Sequence, residues 1–287
     1  MADSFDDQRT DLLLAVHAFR SADSIQRFRR ARPSLPMVVA LTGTDIYRFL
    51  ASDPEPTIRS LELADRLVVL NALALRALPE QARPKAFLVY EGAEPLSRER
   101  RPSRRHFEVC VIGHLREEKD PLLTAQAVRG LPEDSTIQVH HYGGTYSDGW
   151  AHQARTEMTG NSRYHWHGAV PHWRVRRALG RCHVQVLSSR IEGGANVLSE
   201  AIVAGVPILS TDIDGSAGVL GTDYEGYFPV GDTKALRDAL LRMELEPAFV
   251  RRLTEQVADL APQFTVAAET LRWKTLLDEV AGWRGKK

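Results

Sequence analysis

The sequence predicts an α/β protein of two domains, each built on a doubly wound parallel sheet. Three observations carry this expectation. The chain has 287 residues, enough for two domains of roughly 150 each. Short apolar runs alternate with helical patterns, which is how βαβ units read. The alternation stops over residues 94–105 and then restarts.

In the first half, residues 12–16, 37–41, 67–70 and 86–90 are short, nearly continuous apolar runs and read as buried strands. Between them, 23–32, 58–64 and 72–78 read as helices or helical turns. Residues 94–105 hold two prolines, two serines and a run of arginines without hydrophobic period, so they read as a linker. In the second half, 107–112, 136–141, 164–166, 184–187, 208–210 and 226–230 are expected strands. Residues 122–128, 173–179, 196–204 and 233–243 are expected helices. The segment from 264 to 283 has a helical pattern carrying Leu271, Trp273, Leu276 and Leu277. Units of 1–100, 101–263 and 264–287 follow. Ligands of such sheets bind beyond the carboxyl ends of the strands, so the loops there are the place to look.

Composition narrows the function. With 37 basic and 37 acidic residues, the chain has no global basic field for nucleic acid. The basic clusters at 27–32 and 98–105 read as a solvated helix face and as linker. Cys110 and Cys182 lie in apolar stretches and read as buried thiols rather than a disulfide framework. No apolar run approaches the roughly 18 residues of a membrane span. Residues 1–8 are acidic and polar, unlike a signal peptide. These features together predict a cytoplasmic enzyme.

The most informative stretch is 184–208. A strand ends near Ser188 and Ser189, a loop with Glu192, Gly193, Gly194 and Ala195 follows, and a helix opens near Asn196 and Val197. Gly205 suits a left-handed position after that helix, and Pro207 stops its continuation. A helix N-terminus reached through small residues presents backbone N–H groups to an anion such as a phosphate. Glu192 and Glu200 flank it. Carboxylates there either favour the helix dipole or accept hydrogen bonds from sugar hydroxyls. The second stretch follows the strand 107–112: Gly113, His114, Arg116 and Lys119, then Asp120-Pro121. Its cations either balance Glu117 and Glu118 or neutralise a diphosphate leaving group, where fixed positive charge acts most strongly. Asp212-Ile-Asp214 reads as a turn after a strand rather than a metal-binding Asp-x-Asp, and no zinc spacing or P-loop is present.

These two stretches resemble the retaining glycosyltransferases of family 4, through the Glu192-x7-Glu200 spacing and the run from Glu200 to Pro207. The resemblance implies a GT-B fold, two Rossmann-like domains facing a cleft. It implies that Glu200 binds the donor ribose, that Glu192 and the backbone of residues 193–196 face sugar and phosphates, and that Lys119 holds the diphosphate. The family has arginine directly after the glycine at 113, where this chain has His114. Arg116 is therefore the substitute expected, beside Lys119 and Glu192 as catalytic residues. Further motifs are Leu41-Thr-Gly-Thr-Asp45, the stretch 60–70, Cys110 to Pro121, Ser188 to Asn196, and Gly226 to Asp232. This set is similar to the selenosugar synthases of selenoneine biosynthesis. That likeness implies transfer of sugar from a UDP-sugar, UDP-glucose or UDP-N-acetylglucosamine, to selenophosphate, making a carbon–selenium bond. No cofactor or metal is expected, because Arg116 and Lys119 supply the charge.

A GT-B N-terminal domain opens with a strand, a glycine-rich loop and a helix, most of a βαβ unit of roughly 30 residues. Here the first strand read, 12–16, matches the second of that domain, so an incomplete N-terminal domain is expected. On its side of the cleft, His17, Arg20 and Ser21 follow one strand and Thr42, Gly43 and Thr44 another. They either bind a small oxyanion as acceptor or serve as helix caps and solvated charge. Two other functions fit the same residues: an ordinary family 4 hexosyltransferase acting on a hydroxyl, and a truncated, non-catalytic nucleotide-sugar-binding protein.

Overall fold

The computed structural model describes Phe5 and residues 10–282. Of the acidic stretch 1–8 the described residues include Phe5, and Trp283, the last residue of the expected final helix, lies outside them.

Two parallel sheets form. The first runs β1 (Leu13–Val16), β2 (Met37–Ala40), β3 (Arg66–Val69) and β4 (Ala86–Leu88) side by side in chain order. The second contains β5 (Phe107–Ile112), β6 (Ile137–Tyr142), β7 (Tyr164–Trp166), β8 (Val184–Leu187), β9 (Ile208–Thr211) and β10 (Tyr227–Phe228). Its order is β10-β9-β8-β5-β6-β7. The chain turns back between β5 and β8, so their carboxyl ends open a crevice at the switch point.

Each strand of the first half sits where its apolar run predicts, and the central strand β2 is buried throughout. On one face Met37, Val39, Leu67 and Val69 pack with Ile25 and Phe28 of the helix Ala22–Ala31 and Leu61 of the helix Pro54–Leu63. On the other face Val38, Ala40 and Val68 pack with Leu276 and Val280 of the helix Val266–Ala281. That last helix returns from the second domain, capped by Thr265, whose hydroxyl accepts the Ala268 N–H at 3.1 Å. Leu271 and Leu277, expected on its apolar stripe, point to solvent instead, because the buried pair is one turn apart at 276 and 280. The helix covers β2, β3 and β4 but stops short of β1. Leu14 and Val16, in register with Val38 and Ala40, are therefore 45% and 52% exposed, so β1 is an edge strand with one open face rather than a buried one.

The second core surrounds β5, β8 and β9, whose inner residues are all but inaccessible. Gly205 takes φ +66°, the left-handed turn expected after the helix Asn196–Val203. Three helices go beyond the expected elements: Asp148–Gly160, Asp214–Leu220 and Pro247–Leu260. Asp214 opens the second of these, so Asp212-Ile-Asp214 is the junction of β9 and a helix, not a turn. The chain passes between the sheets twice, just after β4 and again at Phe264–Val266, and the crossings meet in a bridge between Ala93 and Thr265. Residues 100–103 already lie on the second domain: Arg101 N–H donates to Gly180 O at 2.9 Å and Arg100 Nη2 to Cys182 O at 2.8 Å.

Candidate active site

The loops after β5 and β8 emerge side by side and are tied to each other. The Ser188 hydroxyl donates to the carbonyls of Lys119 and Asp120 at 3.0 Å, and Arg190 pairs with Asp120 at 2.6 Å. Lys119 Nζ and the Ser189 hydroxyl both reach Glu192 Oε1 at 2.5 Å. Glu192 is thus fixed by an ion pair and a hydroxyl while buried to 7% exposure. Gly113 is held from behind by His141, whose Nε2 lies 2.9 Å from the Gly113 carbonyl and whose Nδ1 lies 2.9 Å from the Tyr164 hydroxyl. Burial pushes the His141 pKa down to about 4, so the ring is neutral and donates its one hydrogen to that carbonyl. His114 turns the other way. Its Nδ1 accepts the Gly144 N–H at 3.0 Å, and its ring sits edge-on to Tyr146.

The helix Asn196–Val203 begins after Ala195, which has no side-chain acceptor to cap it. Leu198 N–H turns back to Ala195 O at 2.7 Å, and the N–H groups before it are of the kind that can meet an anion. Glu200, one turn inside, faces His172 at the start of the helix His172–Leu179, with Nε2 2.8 Å from Glu200 Oε1.

Across the cleft, His17 follows β1 with φ +72°, a left-handed conformation that non-glycine residues seldom adopt. Such strain persists only where the surroundings over-determine it. Here Asp45 holds the ring. Its Oδ1 lies 2.6 Å from His17 Nδ1, and His17 Nε2 lies 3.0 Å from Thr44 Oγ1. A carboxylate that close accepts a hydrogen bond from Nδ1, and Nε2 lies within hydrogen-bond reach of the Thr44 hydroxyl. Burial alone would raise the Asp45 pKa, but bonds from His17 and from the N–H groups of Phe19 and Thr42 outweigh it and hold the carboxyl below its usual range. The result is an Asp45–His17–Thr44 relay at the mouth of the 42–44 turn.

The two sides converge. A cleft of about 320 Å³ is lined by His17, Arg20 and the 42–44 turn from the first domain, and by Arg116, Glu192, Gly193 and Gly194 from the second. Arg116 Nε is buried without a hydrogen-bond partner, and the Arg20 guanidinium makes none among the described residues. Both cations are free for an anion. Gly43 and Gly193 touch backbone to backbone: a Cβ on Gly43 would stand 2.4 Å from Gly193 N. Asn71, after β3, donates to the Gly193 carbonyl at 2.6 Å, and Arg48 pairs with Glu118 at 2.9 Å. Ser21 is outside this group. Its hydroxyl donates to Val16 O at 2.7 Å, so local turn closure takes the group expected at the acceptor, and it does not cap the helix either. A larger groove of about 990 Å³ lies between the linker and the helix His172–Leu179, lined by arginines and Trp173. None of the convergent groups is in it.

A family model of glycosyl transferases group 1 matches residues 93–259. The chain belongs to that family. Among solved structures, HepE from Anabaena in complex with UDP superimposes with a TM-score of 0.79 at 15% identity, covering 94% of this chain and 79% of that one. Sucrose-phosphate synthase from Thermosynechococcus elongatus gives 0.77 at 18% identity, covering 95% and 74%. No curated protein matches the chain. The fold is GT-B.

In this glycosyltransferase four groups stand out that the motifs did not assign: Glu91 in the cleft, Asp45 on His17, Asn71 on the Gly193 carbonyl and His172 on Glu200. Asp45 closes the Leu41-Thr-Gly-Thr-Asp45 motif, so its presence was a signal without a role. Glu91 follows β4 and lines the cleft beside Glu192. Among the described residues, no helix is long and apolar enough to cross a membrane.

Proposed function

We propose that this glycosyltransferase moves the sugar of a UDP-sugar onto selenophosphate, forming a carbon–selenium bond. The observation that carries the reading is the pair of unpartnered guanidiniums, Arg20 and Arg116, in one cleft with the 42–44 turn on one side and Glu192 and Gly193 on the other. Two anions are to be held near one carbon, and the cleft offers one free cation from each domain. Structures of HepE with UDP, with UDP and glucose, and with UDP-glucose support a UDP-sugar donor.

The selenium lone pair attacks the sugar C1, and the bond from C1 to the β-phosphate oxygen breaks. Its electron pair leaves with UDP toward Arg116 and Lys119. Fixed positive charge at the departing diphosphate stabilises the transition state more than the ground state. Glu200 and the 193–197 backbone hold the nucleotide, while Arg20 and the 42–44 turn hold the acceptor phosphate. An anionic selenium needs no strong base, so His17 serves mainly to orient Thr44. The metal-free charge supply follows from the same cations.

The Asp45–His17 pair at 2.6 Å is also what a hydroxyl acceptor would use to lose its proton, and this favours a second reading as a hexosyltransferase. One experiment separates them. The protein is incubated with UDP-glucose or UDP-N-acetylglucosamine and either selenophosphate or simple alcohols, and products are followed by mass spectrometry. The first reading expects UDP release and a selenium-containing sugar without nucleotide. Glycosides of the alcohols, with selenophosphate inert, would replace it by the second.

A further inference from the structure

We propose that Glu91 is an acceptor-binding residue that works as a neutral carboxylic acid, donating its hydrogen to an anionic oxygen of a tetrahedral, phosphate-like acceptor. The inference rests on the reading above that an anion occupies the acceptor side.

The first ground is position. Glu91 follows β4 at the carboxyl edge of the first sheet and lines the same cleft as Thr42, Thr44, Arg20 and Glu192. The second is the state of its neighbours. Glu192 is paired with Lys119 and Ser189, Glu118 with Arg48, and Asp45 with His17. The Glu91 carboxyl has no hydrogen bond or ion pair among the described residues. It is the acid of this cleft left over for a ligand.

The third ground is charge. Glu91 faces Glu269 from the helix Val266–Ala281 and Glu192 from the loop after β8. Lys119, the cation that acts on it, already bonds Glu192. Arg20, Arg48, Arg116, Glu118 and His17 complete the charged and titratable lining. Burial first, then the two carboxylates, push the Glu91 pKa up to about 7. An ionised Glu91 would repel an anionic acceptor. A protonated one donates an O–H···O⁻ bond, among the stronger hydrogen bonds available. No covalent bond changes, and the proton stays with Glu91. Acceptor affinity therefore falls as pH rises through the Glu91 pKa, while below it binding is complete.

Sulfate is the probe, a tetrahedral anion of constant charge, titrated calorimetrically onto the full chain with UDP present from about pH 5.5 to about pH 8.5. Wild-type affinity should be flat in acid and fall about tenfold per unit above neutrality. Glu91→Gln keeps a hydrogen donor without titrating, so its affinity should be flat. Glu91→Ala should bind about ten- to a hundredfold more weakly than wild type in acid, and equally flat. UDP binding to each variant reports that the fold and donor site stand. Sulfate that fails to bind the wild type in acid overturns the inference. So does a wild-type pH profile that survives unchanged in Glu91→Gln, which would move the titration to another group. Loss of UDP binding by the wild type would instead overturn the donor reading, and the sulfate profiles would still decide about Glu91.

Discussion

Replacing Asp45 by Asn tests the relay that holds the 42–44 turn. Asp45 is fully buried and accepts four hydrogen bonds. His17 Nδ1 at 2.6 Å and Phe19 N at 3.0 Å reach Oδ1, and Thr42 N at 2.9 Å and Thr42 Oγ1 at 3.1 Å reach Oδ2. An amide has one oxygen, so it serves one pair and turns its NH₂ toward the other. Two buried donors then lose their acceptor at about 1–3 kcal/mol each, less what the Thr42 hydroxyl recovers by rotating, for a net loss of about 2–4 kcal/mol. In urea this moves the midpoint down by about 1–2 M if the slope is about 2 kcal/mol/M. The difference also depends on pH. The folded pKa of Asp45 lies below 3.8, so its ionised form contributes stability fully above that value and loses it as pH falls through the depressed one. The gap between wild type and variant should be constant near neutrality and close in acid. A gap under about 0.5 kcal/mol, or one that does not narrow in acid, would refute the reasoning.

Lys119→Ala should lower kcat by the equivalent of about 2–4 kcal/mol if Lys119 stabilises the departing diphosphate, and steady-state kinetics with unchanged kcat and KM would remove it from the mechanism. With selenophosphate as acceptor, Arg20→Ala should lose more activity than His17→Ala, whereas the reverse order would mark a hydroxyl acceptor. Gly43→Ala places a methyl 2.4 Å from Gly193 N, so turnover should collapse while circular dichroism and thermal melting of each domain change little. Wild-type turnover in that variant would show that the two loops need not meet for catalysis.

Much of the fold can be read without coordinates because its strands are short apolar runs buried on both faces, as at β2, β8 and β9. The helix Asp148–Gly160 escapes such reading because its inward side is Ala151, Ala154 and Glu157, the last a carboxylate paired with Arg129 and Asn161. No apolar stripe announces it. Among the candidate site residues, the loop glycines, Arg116, Lys119, Glu192 and Glu200 sit in local motifs whose spacing has meaning by itself. Asp45, Asn71, Glu91 and His172 do not. Each acts through a residue far away in sequence: Asp45 through His17, Asn71 through Gly193, His172 through Glu200, and Glu91 through Glu192 and Glu269. Ser21 shows the converse, a hydroxyl in a suggestive position that satisfies itself on Val16.

The bridge between Ala93 and Thr265 makes the two chain crossings a double hinge. Both crossings thus lie along one line, about which a hinge bend would open or close the cleft. Groups beside that line keep their neighbours throughout: Gly92 N–H stays on Glu269 at 2.9 Å, and Glu91 stays next to both. The contacts that span the lips include Gly43 with Gly193, Gly194 with Leu70, Asn71 with the Gly193 carbonyl, Ala72 N–H with Gly218 O, and Arg48 with Glu118. Opening of the cleft therefore works against those contacts, while Glu91 keeps Gly92 and Glu269 of its own side beside it.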